Sequence, residues 1–222
     1  MQAHRRAALG LAAAGVVSAI AASSAAAALP AFSPPFPNPF HSTSKTTILE
    51  TVSKKKVKCT ADTNEGEVTS EQAGTIKIRF TGCESKTIPC QSPNALNPGE
   101  IETPVLGLML GYIVHTPTVT EVGVDISSPT GAPIMQFFCG AALNGEVVGS
   151  VIGKITPINK LVNPGGHFVL KFAQTAGHQH VQHFEAGPVD ILETSFGGGP
   201  FEPTGLASTD VVSFALPMKI GA

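Results

Sequence analysis

Along this chain the apolar positions recur every second residue. Thr75 to Thr81 (TIKIRFT) is the clearest stretch: Ile76, Ile78 and Phe80 fall on one side, and Lys77, Arg79 and Thr81 on the other. That alternation is the mark of a strand with one buried face. Runs rich in β-branched residues at 106–114 and 119–126 continue the series, as do apolar stretches at 134–139, 146–155, 168–172, 189–194 and 211–220. Gly, Pro or Asn punctuates each gap. Many short strands with turn residues between them predict an all-β fold, a single antiparallel β-sandwich or β-barrel domain over 46–222. Asn144 and Gly145 tolerate the positive φ angles of a tight hairpin turn, which predicts a turn between 141–143 and 146–148. Beyond the N-terminus no amphipathic stretch is long enough to predict a helix. No internal repeat or second-domain boundary is visible, and about 175 residues suffice for one core.

Two N-terminal segments depart from this pattern. Residues 1–28 read as a signal peptide: Arg5 and Arg6 precede an apolar run from Leu9 to Ala22, and small residues suited to cleavage follow. The run falls short of the roughly 20 apolar residues of a stable span, and no later segment approaches one, so no membrane span is expected in the mature chain. Residues 29–45 contain Pro30, Pro34, Pro35, Pro37 and Pro39. Such density disfavours helix and central strand, and predicts an extended linker. Phe32, Phe36 and Phe40 recur every four residues along it. They are candidate binding residues of a docking arm, or rings lying on the domain surface.

Composition narrows the function classes. Hydrophobic residues make up 42% and charged residues 14%, a balance opposite to that of a disordered chain. With 14 Lys plus Arg and a formal net charge of −2, the chain has no basic footprint for nucleic acid. Loss of the signal would remove Arg5 and Arg6 and make the balance more acidic. Four cysteines fit an oxidising compartment. Cys59, Cys83, Cys90 and Cys139 permit three pairings. The short loop between Cys83 and Cys90 favours a local bridge, and Cys59 would then join Cys139 across two core strands.

Candidate chemistry is sparse. The stretch AGHQHVQHFEAG places His178 and His180 two apart, on one face of a strand, with His183 and Glu185 close behind. Three imidazoles and a carboxylate form a candidate site for zinc or copper, with His167 a possible fourth nitrogen. The helical H-E-x-x-H frame is missing, and the spacing from His180 to His183 needs a bulge or turn for all three to converge. Without that metal the chain needs no cofactor. Asp62, Asn64, Glu65 and Glu67 lie together as candidate calcium or glycosidase carboxylates, as do Glu100, Glu102, Glu121 and Asp125. Sequence selects no pair among them. No nucleophile motif or phosphate-binding loop is present, and no catalytic residue is assigned. Lys54, Lys55, Lys56 and Lys58 form the one basic cluster, suited to an anionic envelope polymer or to guarding a strand edge. Gly197-Gly198-Gly199-Pro200 reads as a connector or a mobile lid.

The stretches VKCTADTNEGEVT (57–69), GTIKIRFTGCES (74–85), PCQSP (89–93), GEIET (99–103), LGYIV (110–114), VGVDISSPTG (122–131) and GSVIGKITPINK (149–160) resemble a recurrent group of exported actinobacterial proteins of unknown function. The resemblance spans roughly residues 55–185. It implies a secreted β-domain with two cysteine pairs and carries no activity with it. In that group the place of His178 to His183 is polar and often contains lysine, so the histidines are a departure. Together these readings describe an exported or cell-surface β-domain with a non-enzymatic binding or structural role, its partner a cell-envelope polymer or a protein. A histidine-dependent metal protein is the alternative, and a secreted hydrolase a more distant one.

Overall fold

The computed structural model describes residues 28–141, 143–185 and 187–222. Residues 1–28, read above as a signal peptide, lie outside the described residues apart from the last position. In chain order the strands are β1 (Ala31–Phe32), β2 (Asn38–Ser44), β3 (Thr47–Thr51), β4 (Lys56–Cys59), β5 (Ala61–Val68), β6 (Ala73–Thr81), β7 (Glu84–Ser85), β8 (Ile88–Gln91), β9 (Ile101–Glu102) and β10 (Leu106–His115). They continue with β11 (Thr120–Ser127), β12 (Met135–Cys139), β13 (Leu143–Thr156), β14 (Phe168–Phe172), β15 (Gln174–Thr175), β16 (His178–Gln179), β17 (Leu192–Phe196), β18 (Glu202–Phe214) and β19 (Ile220–Gly221). All pair antiparallel, and the architecture is all-β, as the period of two requires.

The pairings close into two rings. In the first, β2–β5–β6–β10–β11–β13–β14–β18 returns to β2. In the second, β3–β4–β7–β8–β12–β13–β17–β18 returns to β3. The molecule is therefore a barrel of two fused tiers sharing β13 and β18, the two longest strands. Residues 143–149 of β13 serve the second ring and 150–156 the first, and Gly149 stands at the boundary with a φ of +91°. A Cβ there would lie 2.0 Å from the Ile191 carbonyl oxygen, so only glycine fits. In β18 the change of partner from β17 to β14 leaves the Leu206 N–H without a strand neighbour. The Gln179 side chain accepts that hydrogen bond at 2.8 Å from the small β15–β16 hairpin.

Ring closure fills the interior with side chains. Leu108, Val124, Ile126, Ile155, Leu170 and Val212 line the first tier around a void of about 30 Å³, one water's share of liquid volume. Two further voids lined by core residues measure about 20 and 50 Å³, so among the described residues the interior is a packed core.

Three sequence expectations are corrected here. The Pro-rich segment is not a free linker. Its residues 38–44 form β2, a central strand between β18 and β5. Pro39 is tolerated because its missing N–H faces the side where β18 has ended, and its carbonyl accepts from the Ala215 N–H there at 2.8 Å. Phe32 and Phe40 are buried, their rings 6.5 and 5.5 Å from that of Phe214, and Phe36 packs against the same core. These phenyl groups seal the end of the first tier, where β1 pairs with β19, and do not serve as a docking arm.

The second correction concerns the hairpin at Asn144-Gly145. The hairpin exists, but its turn starts at Gly140 (φ +61°), since Cys139 pairs with Leu143. Gly145 lies within β13, in register between Phe137 and Phe196. A Cβ on it would come within 2.2 Å of the Phe137 ring, so it is there for close approach and not for its φ freedom.

The third concerns cysteine pairing. The bridges are Cys59–Cys83 and Cys90–Cys139, not Cys83–Cys90 with Cys59–Cys139. Strands β4, β7, β8 and β12 lie side by side, and their registers set the four cysteines in one row across them. A bridge between the middle two would leave Cys59 and Cys139 at opposite ends, about 14 Å apart at ordinary strand spacing. That separation is twice what a disulfide spans. The observed bridges fall where the second ring is thinnest: β4 meets β7 through one residue pair, and β8 meets β12 through two.

Each bridge should stabilise the fold by about 3–4 kcal/mol through the chain entropy of the loop that it closes. Replacing Cys90 and Cys139 together by Ser is expected to lower the unfolding free energy by that amount in urea titration. An unchanged midpoint would show that the ring holds without its staple.

Candidate functional site

The largest groove among those found lies on the outer wall of the second tier, with a volume of about 600 Å³. Its floor follows from strand alternation. Phe137 and Gly145 point inward, so their neighbours Gln136, Phe138, Asn144 and Glu146 point out. Register places Gln136, Glu146 and Ser195 in one row across β12, β13 and β17, and Phe138 opposite Asn144 in the next. Beneath the floor the Phe137 and Phe196 rings meet edge-on at 5.9 Å and stiffen it from inside.

The far bank is the 196–201 loop. Gly197 and Gly198 adopt φ of +65° and +72° with open space where a Cβ would sit, so glycine is needed for backbone conformation alone. The loop is pinned: the Gly197 N–H donates to the Asn144 carbonyl at 2.7 Å, and the Ser195 hydroxyl donates to the Gly199 carbonyl at 2.6 Å. These two contacts tie the loop down as a bank of the groove. Just beyond it Glu202 accepts from the Ser53 hydroxyl at 2.8 Å and from Lys55 at 3.0 Å, and these donors hold its carboxyl below the usual range.

Two phenyl rings, Phe138 at 38% and Phe201 at 43% exposure, border the groove. Between them the Gln136 amide donates to Glu146 at 2.9 Å. Among the described residues Glu146 is the only formally charged side chain in the lining, which otherwise offers phenyl, amide, hydroxyl and backbone groups. Such a surface suits a neutral or cationic chain with apolar faces and hydroxyl or amide edges, and repels anions. Sequence reading missed this site. Its faint signals were the FF pair before Cys139 and the three consecutive glycines before a Pro-Phe step.

The histidine stretch lies elsewhere. His178 pairs with Thr175 in the β15–β16 hairpin, and His180 Nε2 lies 2.8 Å from the Thr175 hydroxyl. His183 Nδ1 is turned to the Phe184 carbonyl at 2.9 Å, and Glu185 is exposed. His167 is far along the barrel, on Ser213. Among the described residues no group of three or more His, Cys, Asp or Glu side chains is placed to hold a metal ion. The carboxylate clusters are likewise divided: in β5, Asp62 and Asn64 face the core while Glu65 is exposed on the outer wall. Of the lysine cluster, Lys55 and Lys56 are paired with Glu202 and Glu50 at 3.0 and 3.3 Å. Among the described residues no helix is long and apolar enough to cross a membrane.

No family model, curated protein or solved structure matches the chain. The groove must therefore be read from its own chemistry.

Zinc added to the oxidised chain is expected to give no saturable sub-micromolar binding by calorimetry. Stoichiometric tight binding that disappears in a His178→Ala/His180→Ala/His183→Ala variant would restore the metal site.

Proposed function

We propose that this chain is exported and acts outside the cytoplasm as a non-enzymatic binding domain, holding a neutral polysaccharide of the cell envelope in the groove between Phe138 and Phe201. The groove carries the reading. Sugar rings present apolar C–H faces that stack on phenyl groups, and hydroxyl edges that pair with an amide–carboxylate couple such as Gln136 and Glu146. The wall beneath is a closed, disulfide-fastened barrel, so these groups are held in place before any ligand arrives, which lowers the entropic cost of binding. Export is supported by the Arg5-Arg6 start with its apolar run and by two disulfides, which persist in oxidising compartments. The resemblance to exported actinobacterial proteins points the same way.

The test is affinity electrophoresis and calorimetry of the oxidised protein against soluble neutral glucans, mannans and peptidoglycan fragments, with a teichoic-type polyanion as comparison. Binding to a neutral glycan is expected. Phe138→Ala and Phe201→Ala should each weaken it about tenfold, the value of roughly one stacked ring. Preference for the polyanion, or affinity unmoved by either substitution, would sink the proposal.

A further inference from the structure

Where the two tiers join, the inner wall carries a polar cluster in an otherwise apolar core. Asp62 and Asp210 are 2% and 5% exposed, and both are register partners of Ser44, one on either side of it. Both side chains point into the core beside that serine, within hydrogen-bonding reach of each other, and Thr47 and Ser208, 3.3 Å apart, flank the pair. Ser44 and Thr47 both donate to Asp62 Oδ2, Thr47 at 2.8 Å, and the Asn64 amide donates to Asp62 Oδ1 at 3.0 Å and to Ser42 at 2.8 Å. The Ser208 hydroxyl donates to Asp210 Oδ1 at 3.2 Å. These contacts use the single hydrogens of Ser44, Thr47 and Ser208 and both of the Asn64 amide's, while the Ser42 hydroxyl accepts. Asp62 thus receives three side-chain donors and Asp210 one, and none of these donors bridges the two carboxyl groups.

Two bare negative charges at that contact are untenable in a dry core. Among the described residues no cation faces them. The other ionisable side chains of the surrounding elements (His41, Glu50, Lys56, Lys58, Glu65, Lys77, Arg79, Lys171 and Glu202, with Glu67 and Lys45 at the strand ends) stand on the outer wall or in turns. Nor, among the described residues, is any group of three or more His, Cys, Asp or Glu side chains placed to hold a metal ion.

We propose that Asp62 and Asp210 share one proton, carried by Asp210, and that this proton latches the two tiers together, giving a barrel that is tightest in acid and loosens in alkali. The latch joins β2, β3, β5 and β18, so its loss strikes the junction that both rings use. Burial, and then the neighbouring Asp62, push the Asp210 carboxyl up to about 8. An unfolded aspartate releases its proton near pH 4. Between these values the folded state holds one more proton than the unfolded, so rising pH favours unfolding. The stabilisation is complete below about pH 4 and gone once the pH passes 8. Asp125, on the outer wall, is pushed up to about 6 by burial and acts in the same direction. Above pH 6 the two effects separate.

The experiment is urea unfolding of the oxidised full chain from pH 5 to 9, with EDTA or with added calcium. Between pH 6 and 8 the unfolding constant should rise about tenfold per pH unit, the linkage of one proton. Asp210→Asn, whose amide still donates toward Asp62, should fold and flatten that slope. Asp125→Asn should leave it intact. Carboxyl ¹³C NMR of the wild-type chain reads the proton without any variant, and one buried aspartate should remain protonated at pH 7. A flat profile from pH 6 to 8, two ionised carboxyl groups at pH 7, or stabilisation by calcium that Asp210→Asn abolishes would overturn the shared proton, the last in favour of a bound cation.

Discussion

The structure depends on the continuity of two strands. Strands β13 and β18 run through both tiers, so each ring takes two of its eight strands from the pair that also closes the other. A barrel of eight short strands is filled by its own side chains. Stacking a second on the first without a seam requires the shared strands to change neighbours midway and leave no buried backbone group unpaired. Gly149 permits the change in one strand, and the Gln179 side chain satisfies the Leu206 N–H that it exposes in the other. Gly149 and Gln179 are the answers to that single geometric demand.

The same demand explains where the sequence was legible. Strand character in β6, β10, β11 and β14 follows from local alternation and could be read directly. Only the later part of β18 was recognised, because its first half, with Pro203, Thr204 and Gly205, carries little apolar signal. Its strand state comes from the ladders on either side. Pro39 gives the clearest conflict between local and global preference. Proline is unsuited to a central strand only when its missing donor is wanted, and whether it is wanted depends on a strand end more than 170 residues away. The cysteines were correctly read as bridged, but their partners depend on the order of β4, β7, β8 and β12. Strand order is invisible to a pattern with period two.

For the groove the difficulty was of another kind. Its residues come from three strands and two loops, and each is ordinary alone. Gln136, Phe138 and Glu146 become a surface only after Phe137 and Gly145 commit to the interior, which forces their neighbours outward. The histidines offered the opposite case. Conspicuous in sequence, they are dispersed by a two-residue strand whose inward residue, Gln179, has the structural task. Conspicuousness in a linear string measures composition, while a site is a property of register.

The pairing of β1 with β19 has a consequence for how such a chain must come into being. Ala31 and Phe32 pair with Gly221 and Ile220, about 190 positions away along the chain. Closing so long a loop costs more chain entropy than any neighbouring-strand contact, so this end of the first tier forms late in folding. Until it forms, Phe32, Phe40 and Phe168 lack the cover that the β1–β19 pair gives them. The most distant partners in sequence are thus the ones that shut the barrel.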